Sequence, residues 1–270
     1  MSATKNRVAV VTGAARGQGR SHAVALAAEG IDVIAVDRCA DIDAIPYPLA
    51  TSEDLDETAR LVREAGGRIK AVVADVRDLA ALQAGINSGI DEFGELDVVV
   101  ANAGVVGMGL TDPLDEEVFH AVVDTNLLGV WHTIAATAPS MIRGGNGGTM
   151  VLISSVQGLV GRGGDGSAAA FAYAASKNGV VGLMRSASYA YAEHNIRVNS
   201  VDPTGDATTP VIFDERMTRI VDPSPTAGNP LTVPDVEHSD VTNAVLFLIS
   251  HTARYITGAT LPVGAGVAAK

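Results

Sequence analysis

Cysteine is almost missing from this sequence, and its scarcity excludes the small disulfide-stapled class of proteins. Cys39 is the single cysteine among 270 residues, so no disulfide can form within the chain. A chain of this kind suits a reducing compartment, and no signal-peptide pattern precedes the first apolar segment. We therefore predict a cytoplasmic protein.

Aromatic residues, basic residues and long apolar runs are also in short supply. Aromatics make up 4% of the chain, and 19 Lys and Arg face 31 Asp and Glu, which gives a net charge of -12. Such a chain lacks the positive surface that nucleic acid requires, so we predict no nucleic-acid partner. No apolar run reaches the roughly 18 residues of a membrane helix, so we predict no membrane span. We also predict no metal site.

Hydrophobic residues are plentiful, at 47% of the chain, and they fall into an alternating pattern. Short apolar runs predict strands at 7–13, 32–37, 69–76, 96–104, 148–155, 196–203 and 259–266. Amphipathic segments predict helices at 21–30, 55–66, 79–94, about 115–142, 173–193 and 241–250. Because the strands are apolar throughout and separated by helices, they predict a parallel, doubly wound sheet with helices on both faces. We predict an α/β fold of about seven strands in a single domain, residues 1–270.

Two segments are too long for ordinary connections in such a fold. Residues 38–54 separate the second strand from its helix, and residues 204–240 carry five prolines after the sixth strand. Both follow the carboxyl ends of strands, where open α/β sheets bind ligands. We predict that 38–54 is a loop insertion near the ligand and that 204–240 is a substrate lid. A tolerated surface insertion is a fair alternative for 38–54 and a weaker one for 204–240.

A glycine-rich turn follows the first strand, in the sequence VVTGAARGQGR at 10–20. Gly13, Gly17 and Gly19 would let backbone approach a pyrophosphate at a helix N-terminus. Asp37 ends the second strand, where a carboxylate binds a ribose diol and repels a 2′-phosphate, which favours NAD over NADP. Two arginines, Arg16 and Arg38, favour the opposite choice.

The sequence YAASK at 173–177 places a tyrosine and a lysine on one helix face. A nearby ammonium favours a phenolate, so Tyr173 beside Lys177 could act as a base on an alcohol. An exposed surface pair is the plainer interpretation of these two residues alone. Three further polar residues change that balance: Ser155 and Asn102 each follow a strand, and Asn126 lies within a predicted helix.

In this order, the motifs resemble the short-chain dehydrogenase/reductase family, over nearly the whole chain from TGAARGQG to YITGATLPVGAG. The resemblance implies a Rossmann fold with Tyr173 as general acid/base, Ser155 holding the substrate oxygen, Lys177 on the nicotinamide ribose and Asn126 positioning a water. It implies that NAD is bound by Gly13, Arg16, Gly17, Gln18, Gly19, Asp37, Arg38, Asp75, Val76, Asn102, Ala103, Gly104, Tyr173, Lys177, Pro203 and Thr208.

A narrower resemblance is to the mycofactocin-associated, carveol-dehydrogenase-like subgroup. Gln18, the segment after VIAVDRC and the phrase YITGATLPV carry it. It implies oxidation of a secondary alcohol to a ketone, with NAD held so tightly that a mycofactocin-type redox partner re-oxidises it. The family resemblance and the apolar helices predicted at about 115–142 and 173–193 indicate a homotetramer.

The chain departs from the family pattern in several places. Ala101 precedes Asn102 where the family has a second asparagine, and PTGDATTP at 203–210 replaces Pro-Gly. The register of Thr208 against Thr209 is therefore open. The segment 161–166 is extra.

Two other functions stay open at this point. One is a dehydrogenase of the same family with freely exchanging NAD, acting on a steroid, sugar or acyl-carrier substrate. The other is a non-catalytic dinucleotide sensor, which the Ser155, Tyr173, Lys177 and Asn126 set disfavours because a sensor needs no base.

Overall fold

The chain builds one seven-stranded parallel sheet. The computed structural model describes residues 6–107, 112, 114–161, 166–204, 230–231 and 236–269. The strands are β1 (Val8–Thr12), β2 (Asp32–Asp37), β3 (Ile69–Val73), β4 (Val98–Ala101), β5 (Gly148–Ile153), β6 (Ile196–Pro203) and β7 (Thr260–Val263). Their order across the sheet is β3-β2-β1-β4-β5-β6-β7, and every neighbouring pair is parallel. The predicted α/β fold class is confirmed.

The predicted strands are right in number but often too long. β2 and β6 have the predicted bounds, whereas the others end sooner. The fourth strand shows why, because the chain leaves the sheet after Ala101 and residues 102–104 turn along its edge instead of extending it. Apolarity alone does not separate a strand from the loop that follows it.

The helices also differ from the prediction at their ends. They are α1 (Gly17–Ala28), α2 (Ser52–Glu64), α3 (Leu79–Phe93), α4 (Glu116–Val123), α5 (Gly129–Gly144), α6 (Ala168–Ala190) and α7 (His238–Ile249). The predicted start of the first helix at 21 is wrong, because the polar glycine motif already forms its first turn. The predicted start of the sixth at 173 is wrong too, since Ser167 caps it by accepting a hydrogen bond from Ala170 N.

The helix predicted over about 115–142 is divided by a wider turn. A π-helical segment, Asp124–Leu128, lies between α4 and α5. Such segments occur often at functional sites, and this one carries Asn126.

Helices cover both faces of the sheet. One hydrophobic core joins the sheet to α3, α5 and α6, with Leu82, Val130 and Met184 among its buried residues. The other joins it to α1, α2 and α7 through Leu26, Leu55 and other residues. Within the described part of the chain, no helix is both long and apolar enough to cross a membrane.

The structure describes the first of the two long segments in full and the second only in part. Residues 38–51, called the strap from here on, connect β2 to α2, and the predicted end at 54 is wrong because α2 begins at Ser52 with Thr51 as its cap. Of the predicted lid at 204–240, residues 205–229 and 232–235 lie outside the described residues. Thr208 and Thr209 belong to that part, and so do residues 162–165 of the extra segment.

Candidate active site

A cleft lies at the carboxyl ends of the strands, where the strand order reverses between β1 and β4. Such a reversal is where open α/β sheets bind ligands. Fourteen of the predicted residues line the cleft: Gly13, Arg16, Gly17, Gln18, Asp37, Arg38, Asp75, Val76, Asn102, Ala103, Gly104, Tyr173, Lys177 and Pro203.

The glycine turn brings two loops into close contact. Gly13 has a φ of +67°, and a Cβ on it would lie 2.8 Å from the Cα of Ala103. Gly19 has another function, because a Cβ there would lie 2.0 Å from the carbonyl oxygen of Gly13. This glycine therefore lets α1 pack against the turn, and its contact with a pyrophosphate stays a prediction.

At the tip of β2, Asp37 is held firmly. Its carboxylate accepts hydrogen bonds from Ala15 N at 3.0 Å and from Cys39 N at 3.1 Å. The adjacent Arg38 turns to Asp75, with Nη1 2.9 Å from Oδ2. Arg16 donates to the carbonyl of Pro48 at 3.1 Å. Both arginines that could favour a 2′-phosphate are thus engaged by the protein.

Asp75 has a structural role besides the contact with NAD that is predicted for it. Besides Arg38, it accepts from Arg77, whose Nη2 lies 2.8 Å from Oδ2. Burial raises the pKa of the Asp75 carboxyl, and Arg38 opposes that rise. The ion pair of Arg38 and Asp75 holds together the segments that follow β2 and β3.

The segment after β4 is tied to β1. The hydroxyl of Thr12 accepts from Asn102 N at 3.0 Å and from Ala103 N at 3.2 Å, while Asn102 Nδ2 donates to the carbonyl of Thr12 at 3.0 Å. Asn102 therefore shapes the cleft wall with its side chain turned into the protein.

The side chain of Asn126 binds the backbone of Val105, in the segment after β4. Its Oδ1 accepts from Val105 N and its Nδ2 donates to Val105 O, both at 2.8 Å. The π-helical turn places this amide beside the loop, close to Gly104 and Lys177. The side chain thus has a structural task that the motif did not predict, and its water-positioning role stays a prediction.

Three of the predicted catalytic side chains meet at the inner end of the cleft. Ser155 is hydrogen-bonded to the Tyr173 hydroxyl, and its Oγ lies 3.3 Å from the carbonyl of Pro203. Lys177 Nζ donates to the carbonyl of Ile153 at 3.0 Å and lies 5.6 Å from the centre of the Tyr173 ring. The YAASK pair is therefore not an exposed surface pair.

Burial dominates the acid–base chemistry of this group. It raises the pKa of Tyr173, and the hydrogen bond with Ser155 works against that rise. It lowers the pKa of Lys177 to about 8, against the attraction of Asp202. The expectation of a lowered Tyr173 pKa is wrong for the chain by itself, because removing the phenol from water outweighs the favourable contacts.

The strap closes the cleft from the side of β2. Ile42 and Ile45 are buried in a small apolar cluster with Val118 and Val122 of α4 and with Ala172 of α6. The strap thus reaches from the tip of β2 to the helix that carries Tyr173.

One polar contact fastens the strap to the far side of the cleft. The hydroxyl of Tyr47 accepts a hydrogen bond from Val106 N at 2.9 Å. Burial raises the pKa of Tyr47 to about 12, so this phenol remains protonated and structural. The sequence marked Tyr47 only as an apolar member of the loop.

The geometry fits a dinucleotide. A close-packed glycine turn opens α1, whose N-terminus favours phosphate, and a fixed carboxylate lies at the tip of β2 for a ribose diol. No described group of three or more His, Cys, Asp or Glu side chains could hold a metal ion.

One charged residue near the site was missed. Asp202, in β6, is fully buried and acts on Lys177. A signal existed, because an aspartate inside the strand-like segment IRVNSVDP is unusual.

Comparisons with known proteins agree with this geometry. The short chain dehydrogenase family model matches residues 7–214. A (-)-trans-carveol dehydrogenase of Rhodococcus erythropolis is 44% identical over 283 residues, which cover 100% of both proteins.

Two solved structures are also similar along nearly the whole chain. Carveol dehydrogenase from Mycobacterium avium, in complex with NAD, has 44% identity and a TM-score of 0.89, with 98% of each chain covered. A short chain dehydrogenase from Mycobacterium paratuberculosis bound to NAD has 39% identity and a TM-score of 0.88, again with 98% of each chain covered.

Proposed function

The chain belongs to the short-chain dehydrogenase family, and from that premise we propose that it oxidises a secondary alcohol to a ketone with an NAD that stays bound. The protein is an NAD-dependent oxidoreductase similar to carveol dehydrogenase. The observation that carries the proposal is the hydrogen bond between Ser155 and Tyr173 beside Lys177, where Tyr173 and Lys177 line a cleft that the strap borders.

The side chains divide the proton chemistry among them. Bound NAD supplies, at C4 of its nicotinamide, the acceptor for the hydride that leaves the carbinol carbon. Tyr173 takes the hydroxyl proton, and Ser155 hydrogen-bonds the same substrate oxygen. Lys177 places a positive charge near the phenol, which favours the phenolate.

The pKa of Tyr173 sets which form of the phenol is present at a given pH. Because burial raises it, the phenol is protonated at neutral pH and is ready to donate to a ketone. Alcohol oxidation needs the phenolate, so its rate rises with pH.

The strap supports tight retention of NAD. It leaves β2 beside Asp37, its two isoleucines are buried against α4 and α6, and Tyr47 bonds to the segment after β4. A dinucleotide beneath it leaves only when these contacts break. Electrons must then leave by another route, which is the function that we assign to a mycofactocin-type redox partner.

We also propose a homotetramer in the cytoplasm. The family resemblance supports the assembly, as do two large apolar side chains exposed on the outer sides of helices, Trp131 at 45% and Phe171 at 64%. The lone cysteine supports the location.

A single experiment tests the catalytic proposal. Purified protein is denatured and its supernatant assayed for NAD, while native protein receives (-)-trans-carveol and is followed by the near-ultraviolet absorbance of reduced nicotinamide. We expect one equivalent of reduction without added NAD, and further turnover once an artificial electron acceptor is present.

Tyr173→Phe is the matched variant for this experiment, because it removes one oxygen and keeps the ring. We expect it to retain NAD and to lose at least about 100-fold in the rate of reduction. NAD-free protein that turns over rapidly with added NAD would favour the freely exchanging alternative. A variant that keeps more than a tenth of the rate would exclude Tyr173 as the base.

A further inference from the structure

Asp202 is a buried carboxylate to which neither the family motif nor the proposed mechanism gives a function. It is 0% exposed, in β6 immediately before Pro203. Ser200 Oγ donates to its Oδ2 at 3.0 Å, and hydrogen bonds from Ser154 and from the backbone of Leu261 also favour the ionised carboxylate. A carboxylate is costly to bury unless a positive group compensates it.

The strand register identifies the face on which this carboxylate lies. Ile153 of β5 pairs with Val201 of β6, so Ser154 and Asp202 are the next neighbours across the two strands. Ser154 Oγ donates to the carbonyl of Lys177 at 2.9 Å. The face that carries Ser154 is therefore the one covered by α6, and the bond from Ser200 to Asp202 places the carboxylate there as well.

Lys177, on α6, reaches the end of β5 on this face of the sheet. Its Nζ donates to the carbonyl of Ile153, the residue immediately before Ser154. The ammonium and the carboxylate thus flank the end of β5, and Tyr173 is the titratable side chain on the cleft side of the lysine.

The two charges act on each other through the protein interior. Burial lowers the pKa of Lys177 and Asp202 raises it, while burial raises the pKa of the Asp202 carboxyl and Lys177 lowers it. For each of the two groups, the other is the charge that acts on it. Lys177 is only 5% exposed, so solvent screens the pair little.

We propose that Asp202 is a positioning residue for the reaction, a buried counter-ion that keeps Lys177 in its ammonium form beside Tyr173. The inference rests on the proposed function, because the lysine charge matters to catalysis only if Tyr173 moves the proton. Asp202 itself exchanges no proton: the proton of the alcohol passes to Tyr173, and the carboxylate remains ionised.

The first test measures the charge of Lys177 without turnover. The chain has four lysines, so brief acetylation by acetic anhydride at a series of pH values, read by peptide mass spectrometry, follows Lys177 against the surface residue Lys70. In Asp202→Asn we expect the midpoint of Lys177 labelling to fall by about one pH unit. Asp202→Glu should restore it.

Asp32→Asn is the matched control. Asp32 is also buried and pairs with Arg68, whose Nε lies 3.1 Å from Oδ1, but it lies at the opposite end of its strand from the cleft. The Lys177 midpoint should be unchanged in this variant. Asp202→Ser, which places a small neutral side chain in the same buried site, should lower the midpoint as Asp202→Asn does, and it replaces Asp202→Asn if that protein does not fold.

The second test is the pH profile of alcohol oxidation. In Asp202→Asn, Lys177 loses its proton at a lower pH and then stabilises the Tyr173 phenolate less. The pH range in which the rate of alcohol oxidation rises should therefore move to higher values. At pH 7, kcat should fall roughly three- to tenfold with KM for the alcohol unchanged. A pH profile in Asp202→Asn that is the same as in the wild type would overturn the inference.

The labelling also separates this inference from the proposed function. If the wild type proves inactive on alcohols, a shifted Lys177 midpoint still establishes the counter-ion. A wild-type midpoint in Asp202→Asn overturns it, whatever the activity.

Discussion

At the scale of single residues, the choice between NAD and NADP depends on Asp37 and on what the neighbouring arginines do. Two backbone N–H groups fix the carboxylate, Asp75 binds Arg38, and the strap carbonyl at Pro48 binds Arg16. A 2′-phosphate would meet a fixed negative charge and no unengaged arginine from this pair. The structure therefore favours NAD over NADP, the choice that Asp37 at the end of the second strand predicts.

Replacement of Asp37 tests this choice. In Asp37→Ala, the ribose diol loses a charged acceptor worth about 1.5–3 kcal/mol, so NAD affinity should fall roughly tenfold or more. NADP affinity should fall less or rise, because the repulsion is removed. Calorimetry on protein stripped of dinucleotide measures both, and equal binding of NAD and NADP to the wild type would show that Arg16 and Arg38 prevail.

At the level of residues, the sequence predicts a position in the cleft where a motif states a spacing. The glycines of the turn, Asp37 and the Tyr173–Lys177 pair could be found because each has a fixed place relative to a strand or helix. Asp202 and Tyr47 could not, because their significance comes from pairing across β5 and β6 or across the cleft. Such pairing is decided by the tertiary fold, so the unusual aspartate in the strand-like segment at 196–203 does not reveal its partner.

At the scale of elements, the strap is what distinguishes this cleft from an open one. Its apolar residues are buried, Tyr47 bonds to Val106 N, and an internal bond from Leu49 N to Asp41 Oδ1 at 2.7 Å shapes the loop. The sequence predicted a loop insertion near the ligand, and a tolerated surface insertion was the alternative. Burial against α4 and α6 disfavours that alternative.

Shortening the strap tests its effect on retention. With residues 40–50 replaced by a short Gly/Ser turn, the protein should purify largely free of NAD and should turn over with added NAD. Tyr47→Phe, which removes one hydrogen bond worth about 1 kcal/mol, should speed NAD release by roughly fivefold.

Tyr189→Phe provides the control for that measurement, since Tyr189 is fully at the surface of α6. Release is measured by trapping freed NAD with a second dehydrogenase. Equal retention by the shortened and native proteins would exclude the strap as the cause of tight binding.

Helix and strand order could be predicted, but the interruption between α4 and α5 could not. The hydrophobic pattern over 115–142 is that of a continuous helix, and the π-helical turn inserts one residue without breaking it. The local sequence gives no reason for that turn. Its observed consequence is the amide of Asn126 directed at Val105.

At the scale of the whole molecule, the helices that cover the sheet expose large apolar side chains on their outer sides. Large apolar rings at the surface often mark association. Two such rings, Trp131 and Phe171, lie on α5 and α6, which cover the same face of the sheet. The acidic net charge keeps separate assemblies apart but does not prevent a specific contact.

A charge at this surface tests the proposed assembly. Phe171→Asp should convert a tetramer into a smaller species, because burying an unpaired carboxylate at an interface costs several kcal/mol. Light scattering after size exclusion measures the mass. Val73→Asp, on the edge strand β3 and equally exposed, should leave the mass unchanged. A wild-type mass in the Phe171 variant would place the interface elsewhere.

The central position of β1 affects the chain while it is being made. β1 and β2 leave the ribosome in close succession, so one edge of β1 is paired early. The other edge waits for β4, with Ala9 opposite Val98 in the final register. Until then its backbone groups are open to any other strand, nascent or misfolded. The interval in which one edge of β1 is unpaired is therefore set by the strand order itself, and no single substitution removes it.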